Sequence, residues 1–406
     1  MTPRSLYLVA TCSWFLAFGM QSVTFAWLVT IVLREPAQLV GWAQTALLLP
    51  GMLLILVAGA LADRVGPDRQ AMWAQLFAAL TPWVLVVAIE LGMLSYPVMV
   101  IYALVMGCAQ AFVTPARDGL LNHVAQGNVQ RTVLLTSFFQ FGCQIIGYAI
   151  AAFADDVGAQ SVMVLQSLFL LVGVVAFFQL RRQKVVAPSV VNDHSMVKDV
   201  LQGAKTIAAS NIMRMVVVQN VAMALFFMGS FIVSFPLVVR EVFDGSSADL
   251  GLLSAFNSLG LVLTIVVMLR VGYVRRAGRA LIFFQALGGI VLVLAAAMDN
   301  FAAFVALVFC WGLCGGVAMP MSRTLMQELA PPAQRSRVMS FYAFSFMGAG
   351  PLGTLFCGYL ADLVGPQAAI QICGTAMLAV SVAIAVFSRL WRAEFTPGEV
   401  QQEATS

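Results

Sequence analysis

The side chains that most often perform chemistry in proteins are scarce in this sequence. The two histidines, His123 and His194, fall in polar connections, and the seven cysteines all lie inside apolar stretches. A nucleophilic site would need a cysteine or serine activated by an adjacent base. Cys310 and Cys314 are one helical turn apart, yet no histidine lies near them in the sequence to complete a metal site. We therefore expect no enzyme activity, no cofactor and no metal.

Polar side chains inside apolar segments are the better candidates for a binding site. A polar group in hydrocarbon is costly unless it finds a partner, so these side chains should face a solute path or another helix. The clearest stripe has a spacing of one helical turn and consists of Gln140, Gln144 and Tyr148. The other candidates for a substrate cavity are Gln21, Thr24, Gln110, Ser230, Ser234, Ser254, Asn257 and Ser258. For any one of them, an interhelical hydrogen bond without substrate contact is the alternative.

Acidic residues that could take up and release protons within the apolar segments are few. Glu90 is the most deeply embedded acid, although its side chain could simply reach the outer head groups. Asp118 lies at the cytoplasmic end of another apolar segment and is the second candidate. No lysine follows a glycine anywhere, so the phosphate-binding loop of ATPases is absent from this sequence. Energy is therefore expected from an ion gradient.

The elements that position these residues are helices in a lipid bilayer. Hydrophobic residues make up 61% of the chain and charged residues 10%, with a mean hydropathy of +0.93. Segments of about 20 apolar residues, long enough to cross a hydrocarbon core, recur throughout. The sequence predicts an all-α membrane protein with twelve transmembrane helices in two six-helix halves. The predicted spans are 6–33, 39–61, 71–94, 97–119, 132–153, 160–180, 214–240, 248–270, 279–298, 301–322, 338–361 and 367–390.

Basic residues are distributed very unevenly between the two sides of this twelve-span arrangement. Of the 22 lysines and arginines, only Arg34 and Arg240 fall on one side, and the rest share the other. Because basic residues accumulate on the cytoplasmic side, both termini are predicted to be cytoplasmic in a bacterial inner membrane. The same placement accounts for the net charge of +4 without a nucleic-acid partner.

One long polar connection divides the chain near its middle. The predicted organisation is a six-helix bundle over 1–180, a linker over 181–213, a second bundle over 214–393 and a tail over 394–406. Within the linker, apolar residues from Met196 to Ala208 recur at helical spacing opposite Lys198 and Lys205. This pattern suits a helix lying on the cytoplasmic membrane surface, or a simple linker with helical tendency.

The two halves resemble each other. At one constant offset Arg117 matches Arg323, and the same offset aligns the pairs Arg131 and Arg337, Gly142 and Gly348, Gly147 and Gly353, and Asp156 and Asp362. Parallel repeats of this kind place a substrate path at the interface between the halves, with alternating access produced by one half rocking on the other.

Residues 59–69, GALADRVGPDR, resemble the cytoplasmic signature of the major facilitator superfamily, G-x-L-A-D-R-x-G-R-R/K. Gly59 allows close helix packing and Gly66 a tight turn. Pro67 stands where the family usually has a basic residue. The resemblance implies that gating and conformational change involve Gly59, Asp63, Arg64, Gly66, Arg69, Arg117 and Arg337.

Two further segments narrow the resemblance to one branch of that superfamily. Residues 114–121, TPARDGLL, and residues 331–340, PPAQRSRVMS, are similar to segments of the siderophore and drug exporters, including the enterobactin exporter. The fifth span lacks the proline usual in antiporters of this kind. The resemblance implies a monomeric, proton-coupled exporter of a siderophore or similar amphiphilic small molecule. The alternatives are a nutrient importer on the same scaffold and, from another class, a membrane enzyme or passive channel.

Overall fold

In a computed structural model, the described residues, 2–124, 129–183, 196–271, 274, 276–331 and 334–392, form long helices joined by short connections. We number the twelve long helices α1 to α12 and call the helix Met196–Ala209 the linker helix. The bounds are α1 Pro3–Val32, α2 Ala37–Val65, α3 Pro67–Glu90, α4 Tyr96–Val124, α5 Val129–Ala151, α6 Ala159–Arg182, α7 Asn211–Glu241, α8 Ser247–Val271, α9 Ala277–Ala296, α10 Phe301–Leu329, α11 Arg335–Val364 and α12 Pro366–Phe387.

Length and hydropathy identify the membrane-spanning helices. Among the described residues, 11 helices are long and apolar enough to cross a membrane. The remaining long helix is α5, whose described apolar part, Phe138–Ala151, is shorter. The predicted all-helical membrane fold is therefore confirmed. The helix boundaries differ by a few residues, as at α3, which begins at Pro67 rather than at residue 71 because proline is well suited to the first helical position.

The chain divides into two compact units. Unit 1 contains residues 1–193 together with 239–255, and unit 2 contains residues 194–238 and 256–406. The division does not follow chain order, because the end of α7 and the start of α8 belong to unit 1. The predicted tail, 394–406, and most of the polar part of the linker lie outside the described residues.

Unit 1 is held together by close backbone contacts and by buried amides. A Cβ atom at Gly19 or Gly147 would collide with the main chain of the facing helix, so α1 and α5 approach as closely as glycine allows. Gln75 of α3 donates to Ser13 Oγ of α1 and to the Leu170 carbonyl of α6, each at 3.1 Å. Buried amides such as this one are stabilised because hydrocarbon offers them no other partner.

Unit 2 is also held together by close helix contacts at glycine and by buried amides. The Cβ positions of Gly312 and Gly316 in α10 would meet the backbone of α8 at Asn257 and Leu261. Gln219 of α7 donates to Ser381 Oγ of α12 at 2.9 Å. Polar residues inside the spans therefore serve helix packing in both units.

The first helix of each predicted half contains π-helical winding, at the end of α1 and in the middle of α7. In α1 the last five residues, Leu28–Val32, are π-helical, and in α7 the π-helical segments are Met223–Met228 and Ser230–Ser234. A π-helical turn widens the helix and redirects the side chains that follow, and such turns are frequent at functional sites.

The linker helix packs on protein. Val200 and Ile207 on its apolar face are buried, and Ile207 joins a core cluster that includes Val338 of α11. Gly203 lies against the main chain of Arg337, and Thr206 is hydrogen bonded to Gln334. Leu201 remains 58% exposed. The helix predicted from the linker's periodicity is present, and part of its apolar face covers the start of α11.

Candidate functional site

The polar stripe of α5 lies in unit 1 beside α1. Gln140 is half-buried, whereas Gln144 and Tyr148 are 7% and 5% exposed. The main chain of Gln144 faces Gly19 of α1, and the Tyr148 carbonyl lies against Gly251. The stripe therefore runs along a helix whose other contacts are tight, so its side chains are held in fixed positions.

The two candidates in α1 are buried, and each carries a polar atom that has no hydrogen-bond partner among the described residues. Gln21 is 5% exposed and Thr24 is fully buried. Gln21 Nε2 and Thr24 Oγ1 have no hydrogen-bond partner among the described residues. In α4, Gln110 is half-buried, and its carbonyl accepts from Thr114. An unmet buried donor costs about 1–3 kcal/mol, so the Gln21 amide is held at a cost in this structure.

The α7 candidates in unit 2 are fully buried serines. Ser230 Oγ lies 3.9 Å from Cys357 Sγ of α11, so its nearest polar neighbour is another helix. Ser234 Oγ has no hydrogen-bond partner among the described residues. Ser230 therefore has a packing role in this structure, while Ser234 keeps an unused hydroxyl.

The α8 candidates are divided between the units. Ser254 lies in the part of α8 that belongs to unit 1 and is half-buried. Asn257 and Ser258 lie in unit 2 and are buried. Asn257 Nδ2 donates to the Val308 carbonyl of α10 at 3.5 Å, which is a long bond. Of the three α8 candidates, Asn257 and Ser258 are therefore buried, and Ser254 is the more exposed.

An aromatic cluster between α7 and α10 was missed by the sequence analysis. The Trp311 ring centroid lies 5.5 Å from that of Phe227, 5.8 Å from Phe231 and 5.6 Å from Phe235. Phe304 extends the cluster at 5.5 Å from Phe235. Trp311 and Phe231 are only half-buried, so part of the cluster is accessible. The sequence feature that could have predicted this cluster is the one-turn spacing of the three phenylalanines along α7.

The signature turn between α2 and α3 has the geometry expected from its glycine. Gly66 has φ +95°, a conformation that side chains disfavour. Pro67 begins α3, and Asp68 Oδ2 lies 4.0 Å from Arg181 Nε of α6. The residue that departs from the family signature thus starts a helix, and an acid–base contact forms beside it.

The remaining signature residues lie near this turn. Gly59 is buried, and Arg64 and Arg69 are exposed. Asp63 is helical, but its side chain lies outside what the structure describes. In unit 2, Arg337 is half-buried, and its main chain faces the linker helix. The structure therefore brings Arg337 to the linker helix.

Arg117 is a buried cation inside unit 1. Its side chain is 10% exposed, and its guanidinium carbon lies 4.5 Å from the centre of the Phe15 ring of α1. Arg117 Nη2 lies 3.5 Å from Asp118 Oδ1, but the Asp118 side chain is 67% exposed. Arg117 Nη1 has no hydrogen-bond partner among the described residues. The ring contact supplies part of the stabilisation that desolvation removes.

Glu90 lies at the end of α3 and is exposed. It is therefore not embedded among the helices of unit 1. Of the two predicted coupling acids, only Asp118 contacts a buried cation. Within the described part of the chain, no group of three or more His, Cys, Asp or Glu residues could hold a metal ion.

The end of α7 binds the connection between α1 and α2, within unit 1. Arg240 Nη1 donates to the main-chain carbonyls of Thr30 at 3.2 Å and Glu35 at 2.6 Å. Arg240 Nη2 pairs with Glu241. We call residues 239–255 the docked segment. Hydrogen bonds from a charged donor are stronger than neutral ones, so Arg240 anchors this end of α7.

A second set of bonds fixes the start of α8 to the connection between α5 and α6. The Ser247 amide donates to Asp155 Oδ2 at 2.6 Å, and the Asp155 amide donates to Ser247 Oγ at 3.1 Å. Ser247 Oγ also donates to the Ala152 carbonyl at 3.0 Å. Gly251 packs against the same helix end. The docked segment is therefore held at both of its ends.

Comparison with known proteins identifies the family. A family model described as transmembrane secretion effector matches residues 4–402. The chain belongs to the transmembrane secretion effector family. No curated protein matches the sequence. The family match covers both units and the linker helix between α6 and α7.

Solved structures share the fold of this secretion-effector family member. The nucleoside transporter NupG aligns with a TM-score of 0.71 at 11% identity, over 97% of this chain and 100% of that one. An auto-inhibited peptide transporter of the POT family aligns with a TM-score of 0.73 at 12% identity, over 97% and 98%. These solved structures show that the fold is shared, and together with the family match over residues 4–402 they identify the chain as a multi-pass, non-enzymatic membrane transporter of the major facilitator type.

Proposed function

We propose that this transporter is a secondary exporter of a siderophore or similar amphiphilic small molecule. The proposal rests on the family match over residues 4–402, because that family is described as a transmembrane secretion effector. The exporter-like segments at 114–121 and 331–340 support the same direction. Nucleoside and peptide transporters share the fold, but at 11–12% identity they do not bear on the substrate.

The side chains available for substrate contact favour an amphiphilic molecule. In unit 1 they are amides and hydroxyls, with Gln21 Nε2 and Thr24 Oγ1 unmet among the described residues. In unit 2 they are the accessible rings of Phe231 and Trp311. Hydrogen bonds to a few polar groups with apolar contact elsewhere are typical of small-molecule sites.

Transport by alternating access requires contacts that break and re-form on each side of the membrane. We assign this role on the outer side to the docked segment, through Arg240 and the pair Asp155 and Ser247. The assignment of sides follows from the basic residues, since Arg240 lies on the side that is poor in them. On this basis both termini are cytoplasmic and the membrane is a bacterial inner membrane.

Proton coupling is proposed at Asp118 in preference to Glu90. Asp118 is exposed, so a proton can reach it, and it lies 3.5 Å from the buried Arg117 guanidinium. Protonation would remove the negative charge from this pair and leave Arg117 bound only to the Phe15 ring. Such a change would shift a conformational equilibrium to the extent that the contact between Arg117 and Asp118 differs between the two states. We propose that the protein works as a monomer.

The direction of transport is tested with preloaded cells. Cells expressing the chain should lose a labelled catecholate siderophore or amphiphilic dye faster than cells carrying an empty vector. Collapse of the proton gradient should abolish the difference. Faster accumulation than in the control cells would instead establish the importer, and gradient-independent equilibration would indicate a passive channel.

The α5 stripe gives one prediction. Replacing both Gln140 and Gln144 with alanine should lower export about 5- to 150-fold, because each of the two lost hydrogen bonds to solute is worth about 0.5–1.5 kcal/mol. The matched control is the double change Gln202→Ala and Lys205→Ala on the exposed face of the linker helix. Equal losses in the two double variants, at equal membrane expression, would remove the stripe from the substrate path.

The signature acid gives another prediction. Asp63→Asn should weaken closure on the cytoplasmic side, because the motif places a carboxylate where charge contacts hold the family's helices together. Labelling of an introduced cysteine near that side by a maleimide reagent should speed up several-fold in inverted vesicles. Asp68→Asn is the control, since its partner is Arg181 within unit 1. Normal export and unchanged labelling by Asp63→Asn would contradict the assignment.

A further inference from the structure

A groove on the surface of unit 1 is not used by any step of the proposed transport. It lies between α2, α3 and α4 and has a volume of about 340 Å³. Small-molecule pockets span about 300–1,000 Å³, so the groove is large enough for part of a ligand. Its walls are apolar apart from Arg69 and Gln70.

The groove is built from one stripe of each helix. Arg69, Trp73 and Phe77 follow one another at one-turn spacing on α3 and cover about 12 Å along the helix. Leu61 of α2 and Phe112 of α4 complete the walls. Trp73 is 55% exposed and Phe77 is 48% exposed. In a membrane-spanning unit, apolar side chains this exposed face lipid, so the groove has a cation at one end and hydrocarbon surface beyond it.

Among the described side chains, the acid adjacent to Arg69 in the sequence pairs with another residue. Asp68 lies 4.0 Å from Arg181 of α6 and is 17% exposed. Arg69 itself is exposed and lies in the first turn of α3, where the helix dipole adds positive potential. This end of the groove therefore attracts an anion.

Gln70 fixes the walls of the groove. Its Nε2 donates to the Ala58 carbonyl at 2.8 Å and to the Phe112 carbonyl at 3.0 Å, which ties α3 to α2 and α4. Its Oε1 is buried, so Gln70 shapes the groove and does not face a ligand in it.

We propose that the groove binds an anionic phospholipid. The phosphate pairs with the exposed Arg69, and one acyl chain lies along Trp73 and Phe77. A phospholipid carries both features in this order, and Arg69 lies at the end of a membrane span, at head-group level. The bound lipid would hold α2, α3 and α4 together.

A second groove provides an internal comparison. It lies between α5 and α6, has a volume of about 720 Å³, and its lining includes Ile146, Phe153 and Leu165 but no charged residue. An acyl chain can lie there, but nothing in that groove selects a head group. Selection by charge should therefore be confined to the groove that contains Arg69.

The test uses the full chain in nanodiscs and the fluorescence of Trp73. Discs of phosphatidylcholine receive increasing amounts of either phosphatidylglycerol or phosphatidylcholine with brominated acyl chains, which quench nearby tryptophans. The quenching lost in Trp73→Phe is the part due to Trp73. We expect half-maximal quenching of Trp73 at an at least fivefold lower mole fraction of the brominated phosphatidylglycerol.

Three variants decide the outcome. Arg69→Gln should abolish the preference for phosphatidylglycerol, and Ala74→Phe should reduce quenching by both lipids because it fills the groove. Arg182→Gln is the matched control, because it removes the same charge from a residue outside the groove. Arg182 lies on α6 directly after Arg181, and its guanidinium stacks on the Phe178 ring. Equal quenching by the two lipids in the unmodified protein, or equal loss of preference in Arg69→Gln and Arg182→Gln, would overturn the proposal.

Discussion

Arg240→Ala is expected to release the docked segment from the connection between α1 and α2. The substitution removes the donor to the Thr30 and Glu35 carbonyls, and hydrogen bonds from charged groups contribute about 1.5–3 kcal/mol each. A loss of 1.4 kcal/mol already changes an opening equilibrium tenfold. The backbone amides of Leu33 and Glu35, bonded within the π-helical end of α1, should therefore exchange hydrogen at least tenfold faster in mass-spectrometric measurements.

Arg34→Ala is the matched control for this experiment. Arg34 is an exposed arginine in the same connection, so its removal changes the net charge equally without touching the docked segment. Arg240→Lys should give an intermediate effect, because the lysine ammonium lacks the fixed planar set of N–H donors with which a guanidinium binds two carbonyls. Exchange rates that are equal in Arg240→Ala and Arg34→Ala would show that Arg240 does not hold this end of α7. Export should fall in Arg240→Ala if the docked segment is the outer gate.

The helices of this fold were predictable from composition because lipid imposes a simple rule. Backbone groups in hydrocarbon must be satisfied within a helix, so apolar length alone identifies a span. The turn at Gly66 was predictable because few residues besides glycine adopt a positive φ readily. The linker helix was predictable from its periodicity, but periodicity does not say whether an apolar face meets lipid or protein. Its contact with α11 therefore required the structure.

Other features had no signal in the sequence. The π-helical segments of α1 and α7 arise where packing outweighs regular winding, and no residue type marks them. Arg240 binds main-chain carbonyls, which every residue possesses, so its partners could not be read from residue types. Spacing predicted that the α8 polar residues share one face, but it could not predict that Asn257 donates to the Val308 carbonyl of α10. A polar residue in a span can therefore bond to a neighbouring helix, and the sequence does not say which one.

The aromatic cluster of unit 2 leads to the second large expected effect. Trp311→Ala should reduce export of an amphiphilic substrate about 10- to 100-fold, because an accessible aromatic surface is lost at the contact between α7 and α10. Trp311→Phe should retain most of the activity, since a ring remains against Phe227 and Phe231. Aromatic pairs contribute about 0.5–1.5 kcal/mol beyond their buried area, so three ring contacts are sufficient for an effect of this size. Export from preloaded cells, normalised to protein in the membrane, measures the loss.

A matched aromatic on the same helix separates substrate contact from general packing. Phe309 of α10 lies two residues before Trp311, on a different side of the helix, and pairs with Phe256 at 6.4 Å. Phe309→Ala removes an aromatic ring from the same helix without touching the cluster, so its export should stay within about threefold of the unmodified protein, since substitutions away from a functional contact usually change free energies by about 0.5 kcal/mol. If both alanine variants lose export equally while remaining folded by circular dichroism, the rings of α10 act through packing alone. Loss confined to Trp311→Ala, with recovery in Trp311→Phe, would place the cluster on the substrate path, because only an accessible ring can exchange contact with packed neighbours for contact with a passing solute.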